Sequence, residues 1–191
     1  ILLAFLILKN FNQNILINTI LISSALYLFF ITVRDFFIKK YKNIAQNVAH
    51  FGFSLLILSI LLNGIFSNEF SSNMKIGEER RFEDKTIKFE SLNMKENTNY
   101  KSLIAEFKII DKRSILTLKP EVRIYNEPKT ITSEADISTT FYSDNFLVFN
   151  ILKNEEYYNI RYQHKPLMIW IWLSTILISV GGILSYMKKN D

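Results

Sequence analysis

Two histidines and no cysteine set the chemical limits of this 191-residue chain. Without thiols there is no disulfide framework, no thiolate zinc or iron–sulfur site and no thiol nucleophile. Two imidazoles, His50 and His164, are too few for a self-contained His-rich metal site. His50 is the more informative. It sits six residues into the apolar run IAQNVAHFGFSLLILSILLNGIF, residues 44–66, about 9 Å along a helix axis from the basic loop before it. An ionisable side chain inside a membrane span is costly and by default marks function. Neutral imidazole is a good axial ligand for haem iron, and apolar surroundings keep it neutral. Ala49 and Gly52 would leave room for a large flat ligand, and Phe51 and Phe53 could pack against its ring. The plain alternative is a histidine that hydrogen-bonds a neighbouring helix.

His164 lies in RYQHKPL, just before Pro166 at the outer rim of the last apolar run. Beside Lys165 it reads first as a surface residue. It stays a weak ligand candidate because an outer-face site is within reach of exported partners. The acid pairs Glu78–Glu79 and Glu155–Glu156 are consecutive, so in extended chain their members point to opposite faces and read as solvated charges. No spacing fits a catalytic triad, a glycine-rich phosphate loop or a paired-carboxylate acid–base site, and no catalytic residue is assigned.

The elements that must hold these residues are mostly apolar. Mean hydropathy is +0.11. A bilayer core about 30 Å thick needs about 20 apolar residues of helix. Residues 15–33, 44–66 and 167–187 meet that length, the last with Trp170 and Trp172 as interfacial anchors. Residues 1–8 (ILLAFLIL) read as the remnant of a further, truncated span, because Ile1 opens mid-way through an apolar run. Three such runs in so short a chain exceed what a soluble core could bury.

Charge fixes the orientation. Residues 67–166 hold 16 Lys/Arg and 16 Asp/Glu, so the whole +5 excess lies outside them. It clusters in the loop RDFFIKKYKN (34–43) and the tail KKND (188–191), which flank the runs as juxtamembrane anchors. This is no basic patch on a folded domain, and nucleic-acid binding is rejected. Both clusters should face the cytoplasm or mitochondrial matrix, leaving KNFNQN (9–14) and residues 67–166 on the other side. In that central stretch, period-two alternation places Leu103, Ala105, Phe107 and Ile109 on one face of a strand. Alternation recurs in Thr117–Tyr125 and in residues 157–162, FLVFNIL (146–152) reads as a more buried strand, and Asn97–Asn99, Asn126–Pro128 and Ser143–Asn145 read as turns. The expectation is an α+β integral membrane protein: three full transmembrane helices plus a truncated first one, with an antiparallel β-rich sandwich or open barrel between the last two spans.

The chain also resembles a family. The run LKPEVRIYNEPKTITSEADI (118–137) with Pro120–Glu121, Arg123, Tyr125, Thr132 and Glu134–Ala135, then RYQHKPLMIWIWLSTILISVGGILSY (161–186), is similar to the C-terminal part of CcmF, the haem lyase component of System I cytochrome c maturation. AHFGFSLLILSI (49–60) resembles that family's histidine-bearing helix. The resemblance covers roughly residues 44–187. It implies that His50 is an axial ligand of a membrane haem b, and that the outer domain serves haem attachment to apocytochrome c. The family's tryptophan-rich segment, its two outer histidines and its second membrane histidine have no counterpart here. The resemblance therefore implies half a site. The other haem ligand would come from a region before residue 1 or from an N-terminal CcmF-like subunit, working with other System I maturation proteins. A haem-free structural subunit of a larger respiratory or biogenesis complex is the competing reading. A small transporter is disfavoured, with one titratable side chain in the spans and no span broken at mid-depth. The abundance of Ile, Asn, Lys and Phe over Ala, Arg, Gly and Pro is what A/T-rich codons give. It points to an organelle-encoded chain in the mitochondrial inner membrane, with a bacterial plasma membrane as the alternative.

Overall fold

The computed structural model describes residues 15–38, 44–112, 114–152 and 156–190. The expected remnant span at 1–8, the loop 9–14, residues 39–43 of the basic loop and Glu155 lie outside the described residues. Two compact units divide the chain, one of helices and one of strands.

The helical unit contains α1 (Ile15–Ile38), α2 (Ile44–Phe66) and α3 (Met168–Asn190). All three are long and apolar enough to cross a membrane. The first runs on past Val33 to Ile38, carrying Arg34 and Asp35 as a neighbouring ion pair on its last turns. Backbone amides inside lipid must be satisfied within the segment, which favours continuing the helix until water is reached. Small residues let α2 and α3 approach. A Cβ added at Gly181 would lie 2.7 Å from the Ala49 Cβ, and one at Gly52 would lie 3.0 Å from the Ser174 carbonyl. Close approach through small side chains is how helices pack where lipid removes the hydrophobic drive between them. Across α1 and α2 the buried hydroxyls of Thr32 and Ser54 share a hydrogen bond of 2.7 Å. The start of α3 is pinned by residues 141 and 142: the Trp170 indole N–H donates to the Phe141 carbonyl, and the Leu167 N–H to that of Tyr142. Leu167 itself takes φ +60, an uncommon left-handed turn for a branched side chain.

The β unit is two antiparallel sheets. One is ordered β1 (Asn68–Met74), β10 (Tyr158–Pro166), β9 (Ser143–Ile151), β8 (Asp136–Thr139). The other runs β2 (Glu79–Phe82), β3 (Lys85–Glu96), β4 (Tyr100–Asp111), β6 (Glu121–Tyr125), β7 (Thr130–Glu134), with β5 (Ser114–Leu118) also on β4. Their inner faces share one core that includes Ile87, Phe89, Phe107, Leu147, Phe149 and Ile160. Phe89 stacks on Phe107 at 4.4 Å. Two sheets around a common core make a sandwich rather than an open barrel.

The alternation in β4 is realised: Ala105, Phe107 and Ile109 are buried, and Leu103 packs against the same core. Three details differ from the expectation. The run Thr117–Tyr125 is two strands, because Pro120 has no N–H for the ladder. Its carbonyl instead accepts from the Ala105 N–H, while β5 and β6 pair with successive parts of β4. Ser143–Asn145 is the start of β9, not a turn; Thr139 pairs with Asp144, which moves the reversal to residues 140–142. The strand expected at 157–162 begins at Tyr158 and continues to Pro166, where Gln163 and His164 pair with Glu69 and Asn68 of β1.

Candidate functional site

His50 stands on an open stripe of α2. Gln46, His50, Phe53, Ile60 and Gly64 follow the three-to-four spacing of one helix face, and all are exposed. Phe53 is 54% exposed. Among the described residues, no hydrogen-bond partner meets the imidazole. The neighbours have other duties than those expected of them. Ala49 and Gly52 are spent on the approach of α3, and Phe51 packs between Phe29 and Phe36, at 5.7 and 6.2 Å. A groove of about 340 Å³, lined by Phe29, Val33, Phe36, Phe37 and Phe51, lies along that α1–α2 contact and does not include His50. Phe53, one turn from His50, is the aromatic ring left on the open face.

These residues could hold a haem: the His50 imidazole, which has no hydrogen-bond partner among the described residues, would be free to bind an iron, and Phe53 on the same exposed stripe could lie beside the ring. They do not complete a site: among the described residues, no cluster of three metal-ligating side chains exists.

His164 is held in the β unit, half-buried at the end of β10. Its Nδ1 lies 3.0 Å from the Asn145 Oδ1, which also accepts the Tyr162 hydroxyl at 2.7 Å. Lys85 donates to that hydroxyl from the far side. An amide oxygen only accepts, so neutral His164 carries its proton on Nδ1. Burial pushes its pKa down, with Lys85 adding to the shift. Burial likewise raises the Tyr162 hydroxyl to about 12. His164 is thus a neutral, hydrogen-bonded residue of a strand-to-strand network, not the solvated surface residue its neighbour Lys165 implied. Nothing in the sequence marks Asn145 as its partner, because Ser143–Asn145 has the composition of a turn.

The described members of the consecutive acid pairs meet basic side chains. Glu78 accepts the Lys75 N–H and bridges Arg80, Glu79 meets Lys88, and Glu156 meets Lys75. Glu121 is partly enclosed. Burial raises its pKa, but the Ser102 hydroxyl and the Arg123 guanidinium more than offset that and hold it below the usual range.

Three apolar helices with a two-sheet antiparallel domain between the second and third define a membrane-tethered β-sandwich protein. A family model described as CcmF C-terminal beta-sandwich matches residues 65–166, more than half of the chain, and the chain belongs to that family. Similar proteins include the cytochrome c-type biogenesis protein CycK of Bradyrhizobium diazoefficiens, 26% identical over 144 residues, covering 75% of this chain and 22% of the relative. CcmF of Pseudomonas aeruginosa is 25% identical over 146 residues, with 76% and 22% covered. The biogenesis protein ccl1 of Rhodobacter capsulatus is 36% identical over 76 residues, with 40% and 12% covered. The fold matches a solved structure described as Cytochrome c Heme Lyase CcmF at a TM-score of 0.71 and 17% identity, over 95% of this chain and 32% of the other. The chain thus spans about a fifth of the length of the curated relatives it matches. It carries the CcmF C-terminal β-sandwich together with apolar helices of membrane-spanning length. The relatives are bacterial.

Proposed function

We propose that this chain is the C-terminal part of a CcmF-like haem lyase complex, in which His50 is one axial ligand of a membrane haem b. The observation that carries the reading is the partnerless imidazole on the open stripe of α2. Family membership supports it and disfavours a haem-free structural subunit of a respiratory complex. The second ligand comes from residues preceding residue 1 or from an N-terminal CcmF-like subunit, since the described residues offer no other imidazole on the helices.

When bound, haem b supplies an iron that takes up and passes on an electron. The chain's own residues orient and shelter it. The i+3 ring of Phe53 flanks the ligand, and the small-residue seam of α2 and α3 fixes the helix that carries His50. The β-sandwich lies on the outer face, in the intermembrane space or periplasm, where apocytochrome c receives its haem with other System I proteins. The residue usage supports a mitochondrial inner membrane, and the bacterial relatives support a plasma membrane; fractionation of the source cells separates the two.

Affinity purification of the native complex, followed by a haem stain, tests the reading. The expected outcome is co-purification with a histidine-bearing, tryptophan-rich membrane partner and with haem. Recovery with a haem-free respiratory core instead would contradict it.

A further inference from the structure

A histidine that binds iron through Nε2 keeps its proton on Nδ1, and that N–H needs an acceptor. Metal-ligating histidines nearly always find one, which fixes the ring and makes the bound nitrogen more basic. Inside a span no bulk water supplies it. On α2 the side chains within one turn of His50 are few. The backbone carbonyls of that turn are engaged in the helix ladder. Asn47, at i−3, already has a partner. Ser54, at i+4, is buried, and its hydroxyl lies 2.9 Å from the Phe51 carbonyl and 2.7 Å from the Thr32 hydroxyl. Phe53, at i+3, offers no acceptor. Gln46, at i−4, differs from all of these. It is exposed on the same stripe as His50, and its amide has no hydrogen-bond partner among the described residues.

Placement favours the pair. Side chains four apart on a helix are neighbours, with about 5–6 Å between their Cβ atoms. Helical side chains lean toward the N-terminus, so the imidazole of His50 lies over the turn that holds Gln46. Gln46 is in the first turn of α2, which begins at Ile44 beside the basic loop. Its amide N–H groups can therefore meet water or headgroups while its oxygen turns inward to the ring.

We infer that Gln46 is the positioning residue of His50: its side-chain oxygen accepts the Nδ1–H of the imidazole and holds Nε2 toward the iron. This rests on the haem ligation proposed above and adds the residue that orients the ligand. Such a hydrogen bond leaves more electron density on the bound nitrogen, which favours ferric over ferrous iron and lowers the midpoint potential.

Redox titration of the membrane haem in the assembled native complex tests this, with Gln46→Leu, Gln46→Glu and His50→Ala beside the parent. Gln46→Leu removes the acceptor without changing charge. Its haem should keep the parent's absorption bands, show a raised midpoint potential and pass to apomyoglobin about tenfold more readily. Gln46→Glu supplies a stronger acceptor, so its potential should fall below the parent's. If the leucine variant fails to assemble or to hold haem, the glutamate variant decides alone: a fall supports the inference, and a potential at or above the parent's overturns it. A potential unmoved by Gln46→Leu also overturns it, because another group then meets Nδ1. So does a shift in the same direction for both variants, which is the mark of a packing change. Haem lost in His50→Ala while the Gln46 variants match the parent removes the positioning residue alone; haem retained in His50→Ala removes the ligand and the positioning residue together.

Discussion

The β unit closes upon itself, and the helical unit does not. In the sandwich, large side chains such as Phe89, Phe107, Phe149 and Tyr162 are fully buried, and charges such as Glu121 and Arg123 answer one another. On the helices, Tyr27, Phe30, Phe53, Trp172 and Ile183 are all more than half exposed. Exposed apolar surface of this extent marks an interaction site or a lipid face. The difference teaches where the missing parts of the machine must lie. The sandwich has what it needs to be a stable platform, whereas the helices present apolar surface that suits lipid or further helices.

Substitutions can break that contrast. The largest effect is expected in the sandwich core. Phe107→Ala removes a ring stacked on Phe89 and should cost about 3–5 kcal/mol, seen as loss of protease protection of residues 67–165 in the full chain. Phe30→Ala, on an exposed helix face, should leave that protection unchanged. A smaller loss, about 1–3 kcal/mol, is expected for Gly181→Val, because its side chain would enter the space of Ala49. It should weaken cross-linking between α2 and α3 without touching the β unit.

The smallest effect is a pH dependence. His164 has its pKa lowered on folding, so the unfolded chain binds a proton first as pH falls. Stability contributed by its neutral form is fully present above the ordinary value of 6.5 and declines as pH drops below it. His164→Gln should flatten the thermal stability of the β unit between neutral pH and that lower range. An unchanged slope would remove His164 from the network with Asn145.

Much of this architecture was legible because it rests on length and period. Uncharged runs mark the helices, and strict alternation marks β4, where every second side chain must enter the core. Other elements hide for physical reasons. In β1 only Phe70 and Met74 are apolar, so the inward face is barely patterned. Pro120 interrupts an alternation that otherwise continues unbroken. Asn145 has turn chemistry, yet its amide is drawn into a strand by Tyr162 and His164. At the candidate site, the residue type of His50 was readable, but its surroundings were not. Small residues beside a histidine look the same in sequence whether they make room for a ligand or for another helix. Here Ala49 and Gly52 make room for α3, which turns His50 to the face they leave free.

The reduced-minus-oxidised haem spectrum of the assembled native complex, with and without His50→Ala, tests the central claim most directly. A membrane-haem signal that disappears in the variant, while the chain remains inserted and the β unit protease-protected, is the predicted result. A signal of unchanged position and intensity would contradict it.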